Sequence, residues 1–259
     1  MLAELLSLAP SGVEEVDVDA DLVEYAVYGA PGELPALPDV RASAGSALVD
    51  VVTTTVADDW AERWREFHRP VVVGDGRLVV RPPWEPAGSG ELELVIDPGQ
   101  AFGTGAHATT RLCLELMLEL PAGGGFVDLG CGSGVLAIAA AALGYSPVVG
   151  LDFDPASVLA TGENALTNGA EVSVRRFDLR SPGAVVPVAR TVAANLLGPL
   201  LREWAARLAG GSEPVPERLI ASGLLVEEAD GICGAFGAAG LRAVRRLESG
   251  DWAALLLVR

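Results

Sequence analysis

Histidine, cysteine, basic clusters and long apolar runs are all scarce in this chain of 259 residues, and each scarcity excludes something. Two histidines, His68 and His107, give no basis for a histidine-rich metal site. The three cysteines, Cys113, Cys131 and Cys233, stand at no metal-ligand spacing. An odd, scattered set reads as reduced and structural, which fits the cytosol. No apolar run reaches the roughly 18 residues of a membrane span. The first charge is Glu4, so the basic start of a secretory signal is lacking. A formal net charge of −17 without a visible basic patch argues against direct contact with nucleic acid phosphates. A basic protein suits that field as a partner, although the charge also serves plain solubility.

A phosphate-loop lysine is lacking too. "IDPGQAFGTGAHATT", Ile96 to Thr110, carries three glycines in seven residues, which lets backbone approach a ligand closely. No lysine follows them, so G-x-x-x-x-G-K-[ST] is not present.

What is present is a globular composition, half hydrophobic and 20% charged. Met1 to Ala57 holds ten acidic residues against one basic, Arg41. There "VEEVDVDA" and "LVEYAVYG" alternate like half-buried strands around an acidic turn, and "ALVDVVTTTV" predicts a third. "LAELLSLAP" predicts a short helix ended by Pro10. "DDWAERWREFHR", Asp58 to Arg69, reads as a linker helix with Trp60 and Trp64 on one face and Pro70 as its stop. "PVVVG" and "RLVVRPPWE" form a hairpin about "GDG". A helix is expected near Thr110 to Leu120. The boundaries are therefore 1–57 for a small acidic α+β domain, 58–69 for the linker and 70–259 for the main domain.

From Gly125 onward strands and helices alternate. "GFVDL", "PVVGLD", "EVSVRRFD", "TVAANLLG" and "RLIASGLL" are strands. Helices follow at "SGVLAIAAAALG", "DPASVLATGENALTNG" with Asp154 as its cap, "LLREWAARLAGG" and Val226 to Ala239. The end, "LRAVRRLESGDWAALLLVR", reads as a hairpin turning at Ser249-Gly250 and adding an antiparallel edge. This alternation predicts an α/β, mostly parallel, doubly wound sheet.

Candidate chemistry gathers at the strand ends. In "VDLGCGSG" the glycines at 130, 132 and 134 join a buried strand to a helix. Their G-x-G-x-G spacing is not the dinucleotide G-x-G-x-x-G, which disfavours a nicotinamide dehydrogenase. Asp128 stands just ahead of the turn and would repel a pyrophosphate. Asp152 ends the next strand, where a carboxylate accepts hydrogen bonds from a ribose diol. A glycine turn between carboxylates suits a cationic adenosine derivative, and S-adenosylmethionine has the parts: sulfonium, ammonium, ribose and adenine.

On these residues the chain resembles the class I methyltransferases. That resemblance places Asp178 of "RFD" at the adenine amino group. With "AFGTGAHATT", "VDLGCGSGVLAIAA" and "AANLLGPL" it narrows to the ribosomal protein L-eleven methyltransferase family (PrmA), and "DDWAERWREFHRP" and "PPWE" are similar to that family's linker and following strand. The resemblance spans Asp58 to Arg259. It implies cofactor binding by Thr110, Gly130, Gly132, Asp152 and Asn195, with Phe102, Gly103 and Thr104 closing over the methionine end. It further implies methylation of amino groups on a large-subunit ribosomal protein of the stalk base. The enzyme is expected to be cytoplasmic and monomeric, without a metal. Asn195, near acceptor and cofactor, is the catalytic candidate. The "LLG" after it is not N-P-P-Y, which favours an amine over an amide acceptor. His107 is the one candidate general base.

Two features depart from the family pattern. Ala106 and Ala108 replace a hydroxyl and a proline of the usual T-H-P-T-T. The family's small ferredoxin-like N-terminal domain would here lack its first strand, from a start placed too far downstream or from a reduced domain. Two other readings compete: a methyltransferase of the same fold acting on another protein or a small molecule, and a module that binds S-adenosylmethionine without turnover.

Overall fold

The computed structural model describes residues 68–88, 90–97 and 105–259 in full, and the backbone of 14–19 and 22–26. The chain divides into two compact units, Met1–Ala61 and Glu62–Arg259. In the first, β1 (Glu14–Asp19) and β2 (Leu22–Ala26) pair antiparallel, with Glu14 opposite Ala26. The expected helix before Pro10, the third strand at 47–56 and the linker helix over 58–67 lie outside the described residues. His68 and Arg69, expected to finish that helix, are not helical.

The second unit opens with a small sheet. β3 (Val71–Val73) and β4 (Leu78–Arg81) form the expected hairpin, turning through Gly74 to Arg77. β5 (Leu92–Val95) was not expected; it pairs parallel with β4, so no hairpin turn announces it.

Beyond it come α1 (Ala108–Glu119), β6 (Phe126–Leu129), α2 (Val135–Ala142), β7 (Val148–Asp152), α3 (Pro155–Thr167), β8 (Val172–Arg176) and β9 (Thr191–Asn195). The chain ends with α4 (Gly198–Ala209), β10 (Arg218–Leu225), α5 (Ala229–Ala238), β11 (Arg242–Ser249) and β12 (Trp252–Val258). A single 3-10 turn, Val226–Glu228, takes the first part of the helix expected from Val226.

Seven strands form one sheet in the order β11-β12-β10-β9-β6-β7-β8. The first five in sequence, β6 to β10, run parallel. The terminal hairpin adds the expected antiparallel edge: β12 pairs antiparallel with both β10 and β11 and lies between them. β12 can sit inside because its apolar residues serve both faces. Ala254 and Leu256 join one core, while Ala253, Leu255 and Leu257 join the other. β11, rich in exposed arginine, takes the solvent edge, which suits an edge strand.

α1, α2 and α3 cover one face of the sheet, α4 and α5 the other. The chain reverses direction across the sheet between β6 and β9, which lie side by side. In doubly wound sheets the crevice beyond the strand ends at such a point is where ligands bind. Among the described residues no helix is long and apolar enough to cross a membrane.

An ion pair between a buried glutamate and a half-buried arginine ties down the loops on the α4 face. Glu213 pairs with Arg207 and accepts hydrogen bonds from the Val186 N–H (3.0 Å) and Trp204 Nε1 (3.4 Å). The Arg207 guanidinium also donates to the carbonyls of Leu179 and Ala184.

Candidate active site

β6 ends in the glycine turn. Gly130, Gly132 and Gly134 have φ of 81°, 53° and 86°, a region that favours residues without a side chain. The turn is fastened from three sides. The Gly130 N–H donates to Leu151 O at 2.8 Å, and the Gly132 N–H donates to Asp152 Oδ2 at 2.9 Å. From α3, Thr161 Oγ1 donates to Gly132 O at 2.9 Å, and Asn164 Nδ2 donates to Ser133 O at 2.9 Å.

Asp128 and Asp152 flank this turn in different states. Asp128 is fully buried; its Oδ2 accepts from the Ala137 N–H at 3.0 Å, and its Oδ1 has no partner. Burial pushes its carboxyl up to about 7, against the pull of the Ala137 N–H and with a further push from the charge of Asp152. Asp152 spends one lone pair of each oxygen on the backbone: Oδ2 on Gly132, Oδ1 on the Asp154 N–H at 3.0 Å. Its own placement is thereby fixed at the tip of β7.

Asn195 ends β9. Its Nδ2 donates to Thr109 Oγ1 at 3.2 Å and lies 3.5 Å from Thr110 Oγ1. Its Oδ1 is buried without a partner. Both threonines are about 1% exposed in the first turn of α1, and His107 caps that helix by accepting from the Thr109 N–H at 3.3 Å. The His107 ring meets Trp252 edge-on at 4.9 Å. Burial, and then the charge of Arg111, lower its pKa to about 4, too weak for a general base near neutrality. The structure therefore gives His107 a capping role.

A close backbone approach holds Asn195 in place. Gly223 interrupts the β10–β12 register at φ 79°, and a Cβ there would lie 2.6 Å from Leu196 O. Only glycine lets β10 pass so near the residue after Asn195. Next to it, Ser222 Oγ donates to Ala253 O at 2.9 Å, with Thr109 O at 3.4 Å.

The site thus gathers Thr110, Asp128, Gly130, Gly132, Asp152 and Asn195 at one end of the sheet. Asp178 stands beyond the end of β8. One of its oxygens accepts from the Arg180 N–H (2.9 Å) and Nε (3.1 Å), which hold the carboxyl below the usual range. Arg180 in turn lies over the Phe153 ring, 5.5 Å from its centroid. Phe102, Gly103 and Thr104 lie outside the described residues. Sequence reasoning missed Thr109, Thr161, Asn164 and Gly223. The "ENALTN" spacing held a signal, since Asn164 on α3 and Asn168 at its C-cap are four residues apart and lie on one side. Asn164 exchanges hydrogen bonds with the Asp97 peptide (2.9 and 3.0 Å), and Asn168 does so with the Val95 peptide (2.8 and 2.7 Å).

These groups fit a cationic ligand better than an anionic one. Asp128 Oδ1 and Asn195 Oδ1 are buried acceptors without partners, and Asp152 adds a carboxylate. A model of one protein family, "Ribosomal protein L11 methyltransferase (PrmA)", matches residues 37–259. The chain belongs to this family.

Curated relatives agree with that membership. The chain is 39% identical over 225 residues to the ribosomal protein L11 methyltransferase of Geobacter sulfurreducens, covering 85% of this chain and 73% of the relative. It is 43% identical over 209 residues to that of Pelotomaculum thermopropionicum, covering 79% and 67%. Among solved structures, the ribosomal protein L11 methylase of Lactobacillus delbrueckii subsp. bulgaricus superposes with a TM-score of 0.62 at 26% identity. That match covers 74% of this chain and 99% of the other. The fold is that of the class I methyltransferases, and membership of this family makes S-adenosylmethionine the cofactor.

Proposed function

We propose that this chain methylates ribosomal protein L11, a protein of the large-subunit stalk base, on amino groups: lysine side chains or the N-terminal amine. The observation that carries the reading is the partnerless Asn195 Oδ1 at the switch point, beside the glycine turn. Family membership supplies the substrate class.

S-adenosylmethionine supplies a methyl group on a cationic sulfur. Asp152 would take the ribose hydroxyls and Asp178 the adenine amino group, while Gly130 and Gly132 would let the chain pass close to the methionine portion. Phe102, Gly103 and Thr104 would close over that portion, and Thr110 would contact the cofactor directly. Asn195 Oδ1 would accept an N–H of the incoming amine and aim its lone pair. Methyl transfer is an in-line displacement, so this orientation, with exclusion of water, carries most of the rate. The amine must arrive neutral, because lysine with a pKa near 10.4 has no free lone pair in water. Desolvation on entry favours that neutral form. The acidic residues of Met1–Ala57 would help dock a basic partner.

The test is transfer of labelled methyl from S-adenosylmethionine to L11 taken from undermodified ribosomes. Wild-type protein should label L11 and Asn195→Ala should label it far more slowly. Equal rates would remove Asn195 from the reaction, and no label with either would remove the substrate.

A further inference from the structure

The Asn195 amide could face the ligand with its oxygen or with its NH2, and an amine substrate needs the oxygen. We infer that His107 sets that polarity, acting on Asn195 through the Thr109 hydroxyl. The inference rests on the proposed function for its chemistry, but the device itself is read from hydrogen-bond directions.

The directions follow one from another. The Thr109 N–H donates to His107 Nδ1, so that nitrogen carries no proton and the neutral ring holds its proton on Nε2. Thr109 Oγ1 lies 2.8 Å from the same Nδ1 and must therefore be the donor of that contact. A hydroxyl has one hydrogen; with it spent on His107, Thr109 offers only lone pairs to its other neighbour. Asn195 Nδ2, at 3.2 Å, fills that role as donor. The amide is then turned with Nδ2 toward the threonines and Oδ1 away from them, without a partner.

Leaving a buried amide oxygen unpaired is unfavourable, so something must oppose its turning over. Were Thr109 free to donate elsewhere, it could donate to Oδ1. The amide would reverse, satisfy its oxygen and present NH2 to the ligand. His107 removes that option by taking the hydroxyl hydrogen. The other contacts of Thr109 keep it in place for this: it is about 1% exposed, and its carbonyl lies 3.4 Å from Ser222 Oγ. Burial also keeps the His107 ring neutral, so the acceptor persists. His107 is accordingly a positioning residue.

Two variants separate this role from packing against Trp252. His107→Phe keeps a ring and loses the acceptor; His107→Asn keeps an acceptor near the position of Nδ1 and loses the ring. His107→Phe should lower kcat for L11 methylation by roughly 10- to 100-fold, with cofactor affinity little changed, and His107→Asn should restore most of it. In an Asn195→Ala background, His107→Phe should have no further effect on kcat while its effect on Tm persists. Equal slowing in both backgrounds would show a merely structural role and overturn the inference.

A second measurement does not depend on the acceptor. Proton–nitrogen NMR of the imidazoles, assigned with a His68 variant because the chain has two histidines, should show His107 protonated at Nε2. Protonation at Nδ1 would overturn the inference whatever the substrate is. A wild-type enzyme inactive on L11 would instead overturn the proposed function alone.

Discussion

Replacing Asp152 by asparagine separates fixing the glycine turn from its proposed second task, holding the cofactor. In the native structure Oδ2 accepts the buried Gly132 N–H at 2.9 Å and Oδ1 accepts the partly buried Asp154 N–H at 3.0 Å. Asparagine has one oxygen, so one of these N–H groups must face an NH2. The amide should turn its oxygen to Gly132, because the Asp154 N–H can find water. The cost is then one partly compensated hydrogen bond, about 1 kcal/mol. For a unit of this size that lowers Tm by roughly 2–4 °C. On the proposed ribose assignment, the cofactor would lose a charged acceptor for its diol and keep a neutral one. That difference is worth about 1–1.5 kcal/mol, or roughly tenfold in Kd. Asp152→Ala strips both N–H groups and should cost about twice as much stability or more. Calorimetric titration with S-adenosylmethionine and thermal melts of both variants would read these effects. A Kd for Asp152→Asn within twofold of wild type would refute the ribose assignment. A Tm loss equal to that of Asp152→Ala would refute the turn-fixing argument.

Three further outcomes follow from the packing and the charges. Gly223→Ala forces a Cβ against the Leu196 carbonyl in a left-handed backbone costing about 1–2 kcal/mol; kcat should fall well beyond what the Tm shift alone accounts for, as steady-state assays at low temperature would show. Glu213→Leu leaves Arg207 unpaired among the loops, and loss of about 3–5 kcal/mol should lower Tm by about 10 °C or more in thermal melts. The third concerns pH. The folded pKa of Asp128, about 7, lies above its ordinary value, so folding is favoured as pH falls from 7 toward 4. That of His107, about 4, lies below its ordinary 6.5, so stability is lost over pH 6.5 to 4. The two contributions oppose each other in wild type; Asp128→Asn should uncover the histidine limb, with denaturant titrations steepening by up to roughly 1.4 kcal/mol per pH unit.

The parts of this site that local sequence encodes were legible in it. The glycine turn, Asp152 and Asn195 sit at strand-to-turn junctions, where an apolar run, a breaker and a helix cap fall within a dozen residues. The strands β6 to β10 were readable for the same reason. Contacts made across the sheet left no such trace. Thr109 and Asn195 are 86 positions apart, and nothing near either one announces the other. Gly223 sits in an apolar strand, and its purpose appears only when Leu196 is found against it. The strand β5 escaped because a parallel partner needs no turn. The place of β12 inside the sheet escaped because a hairpin's sequence does not say which of its strands pairs with β10.

The proposed transfer of methyl groups from S-adenosylmethionine to amines of ribosomal protein L11 can be read on the substrate itself. The most direct measurement is the intact mass and peptide map of L11 from undermodified ribosomes, taken before and after incubation with purified protein and cofactor. The chain contains no lysine, so any methyl-lysine found in the mixture belongs to the substrate and not to the enzyme. L11 should become heavier by whole methyl increments, placed on lysine or the terminal amine and abolished by omitting the cofactor. An unchanged L11 spectrum from folded, cofactor-binding protein would contradict it.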